Sequence, residues 1–119
     1  MSVKTFIVET ASIKAGYAIK NGSAEKGVVA GTADSVNLGI SKGNVASEES
    51  FAVGDQIDVA LIGEVCLAVA GGTVTKGLKL MSDANGKMVD GSGGTNPFAV
   101  ALENAVAGET LHVVITATG

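Results

Sequence analysis

His112 and Cys66 are the only histidine and the only cysteine in the chain, and that scarcity limits the chemistry at once. A histidine-based triad would have to be built around His112, and a structural zinc site cannot be closed with one imidazole and one thiolate. His112 falls on the polar face of an alternating segment near the C-terminus, which suits a solvated or hydrogen-bonded side chain. Cys66 lies in the apolar run Gly63-Glu64-Val65-Cys66-Leu67-Ala68-Val69 with no cationic group beside it, so it reads as a buried, unreactive thiol. Asp55 with Asp58, and Glu48 with Glu49, are spaced as an acid/base pair could be. Asp55 directly precedes a strand, however, and Glu48-Glu49 lies in a loop, so solvated turns account for both. Gly91-Ser92-Gly93-Gly94 is not followed by Lys-Ser/Thr or by a periodic helix and makes no phosphate cradle. The inventory points away from an enzyme and names no catalytic, cofactor-binding or metal-binding residue.

The elements that would carry these residues are strands. In Gln56-Ile57-Asp58-Val59-Ala60-Leu61, the apolar Ile57, Val59 and Leu61 share one face. Thr110 to Thr116 repeats the pattern, with Leu111, Val113 and Ile115 inward. Each strand follows a glycine and an acid, Gly54-Asp55 and Gly108-Glu109. Further upstream, Lys14 to Ile19 resembles Thr75 to Leu80, with Gly16 and Gly77 lying 61 positions apart, and Val36 to Ile40 resembles Phe98 to Leu102. The order of features is the same in both halves, apart from an insertion at 41–50 that reads as a polar, exposed loop. The chain therefore divides into an N-terminal arm at 1–12 and a single β domain at 13–119, built from two related units at about 13–63 and 74–119. A lone unit of this size cannot cover its apolar face, so the two are expected to close on each other as a small barrel or sandwich. Asn85-Gly86 marks a tight hairpin, and Gly91 to Pro97 reads as a flexible loop.

Composition agrees. Of 119 residues, 17 are glycine and one is proline, and 46% are hydrophobic but only 3% aromatic. This suits many short strands joined by tight turns, and excludes collagen, proline-rich linkers and disorder. The eight basic residues are all lysine, set against twelve acids for a net charge of −4. With no arginine, no tryptophan and no basic cluster, a nucleic-acid partner is not expected. Neither is a membrane partner or a signal peptide, because no long apolar run exists. The simplest expectation is synthesis in a cytoplasm. Gly86-Lys87-Met88 on a hairpin is similar to the lysine-bearing turn of biotinyl and lipoyl carrier domains, but a turn glycine precedes Lys87. A carrier or interaction module remains the alternative to the reading that follows.

Three stretches carry a wider likeness: Ala15-Gly16-Tyr17-Ala18-Ile19, Val36-x-Leu38-Gly39-Ile40, and Ala52 to Val59 with Ile62-Gly63-Glu64-Val65. It continues through Val74-x-x-Gly77-Leu78-Lys79-Leu80, Gly86-Lys87 and Phe98 to Leu102, ending at Ala107 to Leu111. In this order the chain resembles the capsid decoration (cement) proteins of tailed bacteriophages. The resemblance covers most of the chain after about Ser12 and departs from the family at the 41–50 insertion. It implies an all-β fold, a small compact barrel or sandwich of the β-clip or β-tulip kind. It also implies a structural virion protein with no cofactor, made in the host cytoplasm. Such a protein binds the major capsid protein on the outer surface of the expanded head, stabilises the lattice, and stands as a homotrimer at local three-fold positions. Within it, the arm residues Val3, Thr5, Phe6, Ile7 and Val8 are the candidate capsid contacts, through an added strand whose apolar side chains fill pockets. The competing expectation is that this segment is simply the first strand of the chain's own barrel. Phe98 is expected in the core, and Phe6 is the best candidate anchor.

Overall fold

The computed structural model describes residues 5–23 and 25–117. Its strands are β1 (Thr5–Val8), β2 (Ile13–Lys14), β3 (Ala18–Asn21), β4 (Gly27–Ala30), β5 (Gly39–Ser41) and β6 (Ser50–Phe51), then β7 (Gln56–Ala60), β8 (Val65–Val69), β9 (Lys79–Ser82), β10 (Met88–Asp90), β11 (Ala99–Ala101) and β12 (Thr110–Ile115). The fold is all-β, as composition and alternation require. A closed barrel runs β1-β4-β3-β5-β7 and back to β1, and a second sheet runs β10-β9-β11-β12-β8.

The two sheets repeat each other strand for strand. β3, β4, β5, β7 and β1 of the barrel correspond to β9, β10, β11, β12 and β8 of the sheet, and β1 pairs with β4 in parallel, as Ala70 bridges Met88. Outside the main sheets, the short pair β2–β6 has its counterpart in the bridge Val74–Ala105. The corner bonds recur too. The Gly54 N–H donates to the Val8 carbonyl at 2.8 Å and the Gly108 N–H to the Ala70 carbonyl at 2.8 Å; the Gly16 N–H donates to Ser41 at 2.9 Å and the Gly77 N–H to Ala101 at 2.8 Å. All four glycines hold φ between +86° and +91°, the region that glycine enters without a Cβ penalty. This is why the glycines recur in order along the sequence.

Strand alternation sets the cores. Inside the barrel, Val8, Ile13, Ile19, Val28, Ile57 and Val59 form one buried cluster, with Phe6 and Leu61 packed against it. The second cluster holds Leu80, Met88, Phe98, Leu111, Val113 and Ile115, with Phe98 only 1% exposed. It also takes in Ala18, Ile40 and Ala60 from the first unit, so the barrel's outer face is part of the second core.

Four expectations need correction. Residues 5–8 are a barrel strand rather than a free arm: Thr5, Phe6 and Ile7 pair with β7, and Ile7 and Val8 with β4. The barrel needs this fifth strand to close, and Val8 is 1% exposed in its core; Val3 lies outside the described residues. The unit boundaries shift for the same reason, since β1 precedes residue 13 and β8 precedes residue 74. Finally, the 41–50 segment is not wholly exposed: Val45 is buried beside Gly16, and Ser50 enters β6. The 91–97 segment, expected to be flexible, is tied to the first unit, where the Asp34 carboxylate accepts the N–H groups of Thr95 and Asn96, each at 2.8 Å.

Candidate interaction surface

His112, Asp55 and Glu49 each have a structural partner. His112 sits 2.7 Å from Glu103 through Nδ1, and the same carboxylate oxygen accepts the His112 backbone N–H at 2.7 Å. That backbone bond, followed by the ring contact, lowers the Glu103 pKa. Burial pushes the Cys66 thiol up to about 11, consistent with an inert sulfur. Asp55 accepts the Ala52 N–H at 2.8 Å and Glu49 accepts the Asn44 N–H at 2.8 Å, so both close turns, while Glu48 makes only a loose 3.5 Å contact with Lys14. Among the described residues no cluster of three or more His, Cys, Asp or Glu is placed to hold a metal. Lys87 is half-buried, and the Gly86 carbonyl beside it accepts the Ala18 N–H at 2.7 Å. The tip that a carrier domain would present is therefore strapped to the first unit.

What the molecule does display is one apolar sheet face. Residues directly opposite each other in a ladder share a face, so register defines the rows. In the first unit, Ala18 opposes Ile40 and Ile40 opposes Ala60. All three are 0% exposed because the second unit covers them. The repeat places Lys79, Val100 and Val114 at the same positions, with Val65 extending the row. No element among the described residues covers this row as the first unit's is covered: Val65 is 57% exposed, and Val100 and Val114 are half-buried. In the next row, Leu67 opposes His112, whose carbonyl accepts the Leu102 N–H at 2.9 Å. Leu67 is 37% exposed and Leu102 39%, and Ile62, 68% exposed, stands on the adjoining turn.

The first unit's outer face is covered by the second unit, and the corresponding face of the second unit has no such cover among the described residues. Glu103 with His112 edges it, and on the turn side Glu64, which bonds Lys42 at 2.8 Å, borders Val65. A contiguous apolar area rimmed by charge is the usual mark of a protein-binding surface. Reading the sequence for anchors favoured Phe6, which the structure packs against the barrel core, and missed Val65, Leu67 and Leu102. A signal was present: β8 is apolar at every position, so one of its faces had to be either covered or sticky.

No protein-family model matches the chain, and no curated protein does. Among solved structures, the chain is similar to the head fiber gp8.5 N base of bacteriophage phi29, with a TM-score of 0.75, 15% sequence identity, and coverage of 94% of this chain and 92% of that one. At that identity the likeness extends over nearly the whole of both chains and establishes a shared fold.

Proposed function

We propose that the chain is a structural protein of a phage virion, which binds the outer surface of the expanded head and stabilises its lattice. The observation that carries this reading is the uncovered apolar row Val65–Val114–Val100, with Leu67 and Leu102 beside it, on a fold shared with a phage head fiber base. The partner is the major capsid protein, and the contact is made by this face of the second unit. β1 cannot add a strand to a capsid sheet while both its edges are occupied within the barrel. Copies gather as homotrimers at local three-fold positions. The role is mechanical, without catalysis or cofactor, and is exercised on the virion after synthesis in the host cytoplasm. Its physical basis is linkage: a ligand that binds only the expanded lattice stabilises that lattice by its differential affinity.

The test is to mix the protein with expanded heads that lack it, from the phage that carries this sequence. Pelleting the heads measures the bound protein, and heating them measures their resistance to disruption. Saturable binding with a raised disruption temperature supports the reading. Protein that stays in the supernatant at micromolar concentration, or binds without altering heat resistance, contradicts it.

A further inference from the structure

A second feature sits at the seam between the units, where two open-sided clefts of about 310 Å³ and about 320 Å³ share Lys14, Tyr17 and Lys87. Lys14 comes from β2, Tyr17 from the turn leading into β3, and Lys87 from the β9–β10 hairpin of the other unit. The internal repeat does not account for this grouping, since the counterparts of these three positions are Thr75, Leu78 and Gly27. The grouping arises only where the units meet. Lys87 is half-buried and has no side-chain hydrogen bond or ion pair among the described residues, and the loose contact of Lys14 with Glu48, both well exposed, is easily given up. Apolar residues line each cleft beside the polar ones, Val45 and Val69 in the first and Ile13 and Ala30 in the second. Val69 belongs to β8, so the open face of the second unit runs into the first cleft.

We infer that this seam binds an extended acidic segment of a partner protein, laid across Tyr17 with carboxylates on Lys14 and Lys87 and apolar side chains against the apolar lining residues. A compact small molecule needs most of its surface enclosed, and neither cleft encloses one. An extended chain needs only an open trough, and six residues span about 20 Å at ~3.3 Å per residue. Two ammonium groups, one of them without a carboxylate, select an acidic chain in an otherwise net-acidic protein. The inference is independent of head binding and is tested without heads.

The probe is a capped hexapeptide of alternating Glu and Val, titrated into the ¹⁵N-labelled protein, with a Lys-Val hexapeptide and free glutamate as comparison arms. The inference expects amide shifts confined to residues 12–17, 30, 45–48, 69, 85–87, 108 and 110. It expects Lys14→Gln and Lys87→Gln each to weaken binding about fivefold, the size of one partly exposed charge pair, while Glu48→Gln tightens it. Lysine substitutions that leave the affinity unchanged, shifts centred elsewhere, or an equal response to the Lys-Val peptide would overturn it. Free glutamate binding as tightly as the peptide would also overturn it, reducing the seam to a small-anion site. The ¹⁵N spectrum of each variant, unchanged away from the seam, establishes that it is folded.

Discussion

Ser82→Ala tests how the two units are held together. Ser82 is 0% exposed, and its hydroxyl accepts a hydrogen bond from Asn37 Nδ2 at 2.9 Å while donating to the Thr32 carbonyl. Asn37 is itself 7% exposed, and its Oδ1 accepts the Ser35 hydroxyl at 2.8 Å. The cluster therefore joins β9 of one unit to the 32–37 segment of the other. Removing the hydroxyl leaves the buried Asn37 amide N–H without its partner, at a cost of about 1–3 kcal/mol, while the Thr32 carbonyl keeps the Ser35 N–H at 3.1 Å. The expected loss is about 2 kcal/mol, or roughly 8 °C in Tm for a domain of this length. Urea denaturation at constant m reads the loss directly. The decisive result is a double-mutant cycle: Asn37→Ala with Ser82→Ala should cost at least about 1 kcal/mol less than the sum of the single changes, because the orphaned amide has gone. A single-variant loss below ~0.5 kcal/mol, or strict additivity, would refute the account of this junction.

Three other expectations follow from the geometry. Because the folded pKa of Cys66 is raised to about 11 from 9.0, its share of stability is intact below pH 9 and is lost as pH rises toward 11; Cys66→Ala should flatten that part of the stability profile, and the native thiol should react with iodoacetamide far more slowly at pH 7.5 than in urea. The Asp34 pKa is lowered by the N–H groups of Thr95 and Asn96, so its contribution holds above the ordinary carboxylate range and fades as pH falls through its folded value. Asp34→Ala should speed hydrogen exchange at the amides of residues 95 and 96 while leaving β12 protected. Gly39→Ala should abolish soluble protein, since its Cβ would overlap the Ala60 carbonyl across the β5–β7 ladder. Gly63→Ala, at φ +90° with open space around it, should cost only about 1–2 kcal/mol in a melting experiment.

Much of this architecture is legible in the residues. Gly16 with Gly77 and Gly54 with Gly108 mark corners that only a positive φ can turn, and β7 and β12 declare their inward faces by strict alternation. β1 is ambiguous for a physical reason. A strand paired inside its own barrel and an arm paired with another protein obey the same alternation, so Phe6 and Val8 look alike in both. The burial of Ala18, Ile40 and Ala60 depends on how one unit docks on the other, a long-range fact that no local pattern encodes. The open face follows from that docking; the unbroken apolar run of β8 signals a face that must be covered or sticky without telling which. At the seam, Lys14 and Lys87 come together across dozens of residues, so their spacing carries no signal.

The central claim is that the open face of the second unit is the surface laid against the head. The most direct measurement is hydrogen–deuterium exchange of the protein free and bound to expanded heads, with the folded variant Val65→Glu/Leu67→Glu run in parallel. The account predicts new protection concentrated in β8, the 61–64 turn and the end of β11 near Leu102, and loss of head binding in the variant. Protection confined to other surfaces, or a variant that binds heads as well as the natural chain, would contradict it.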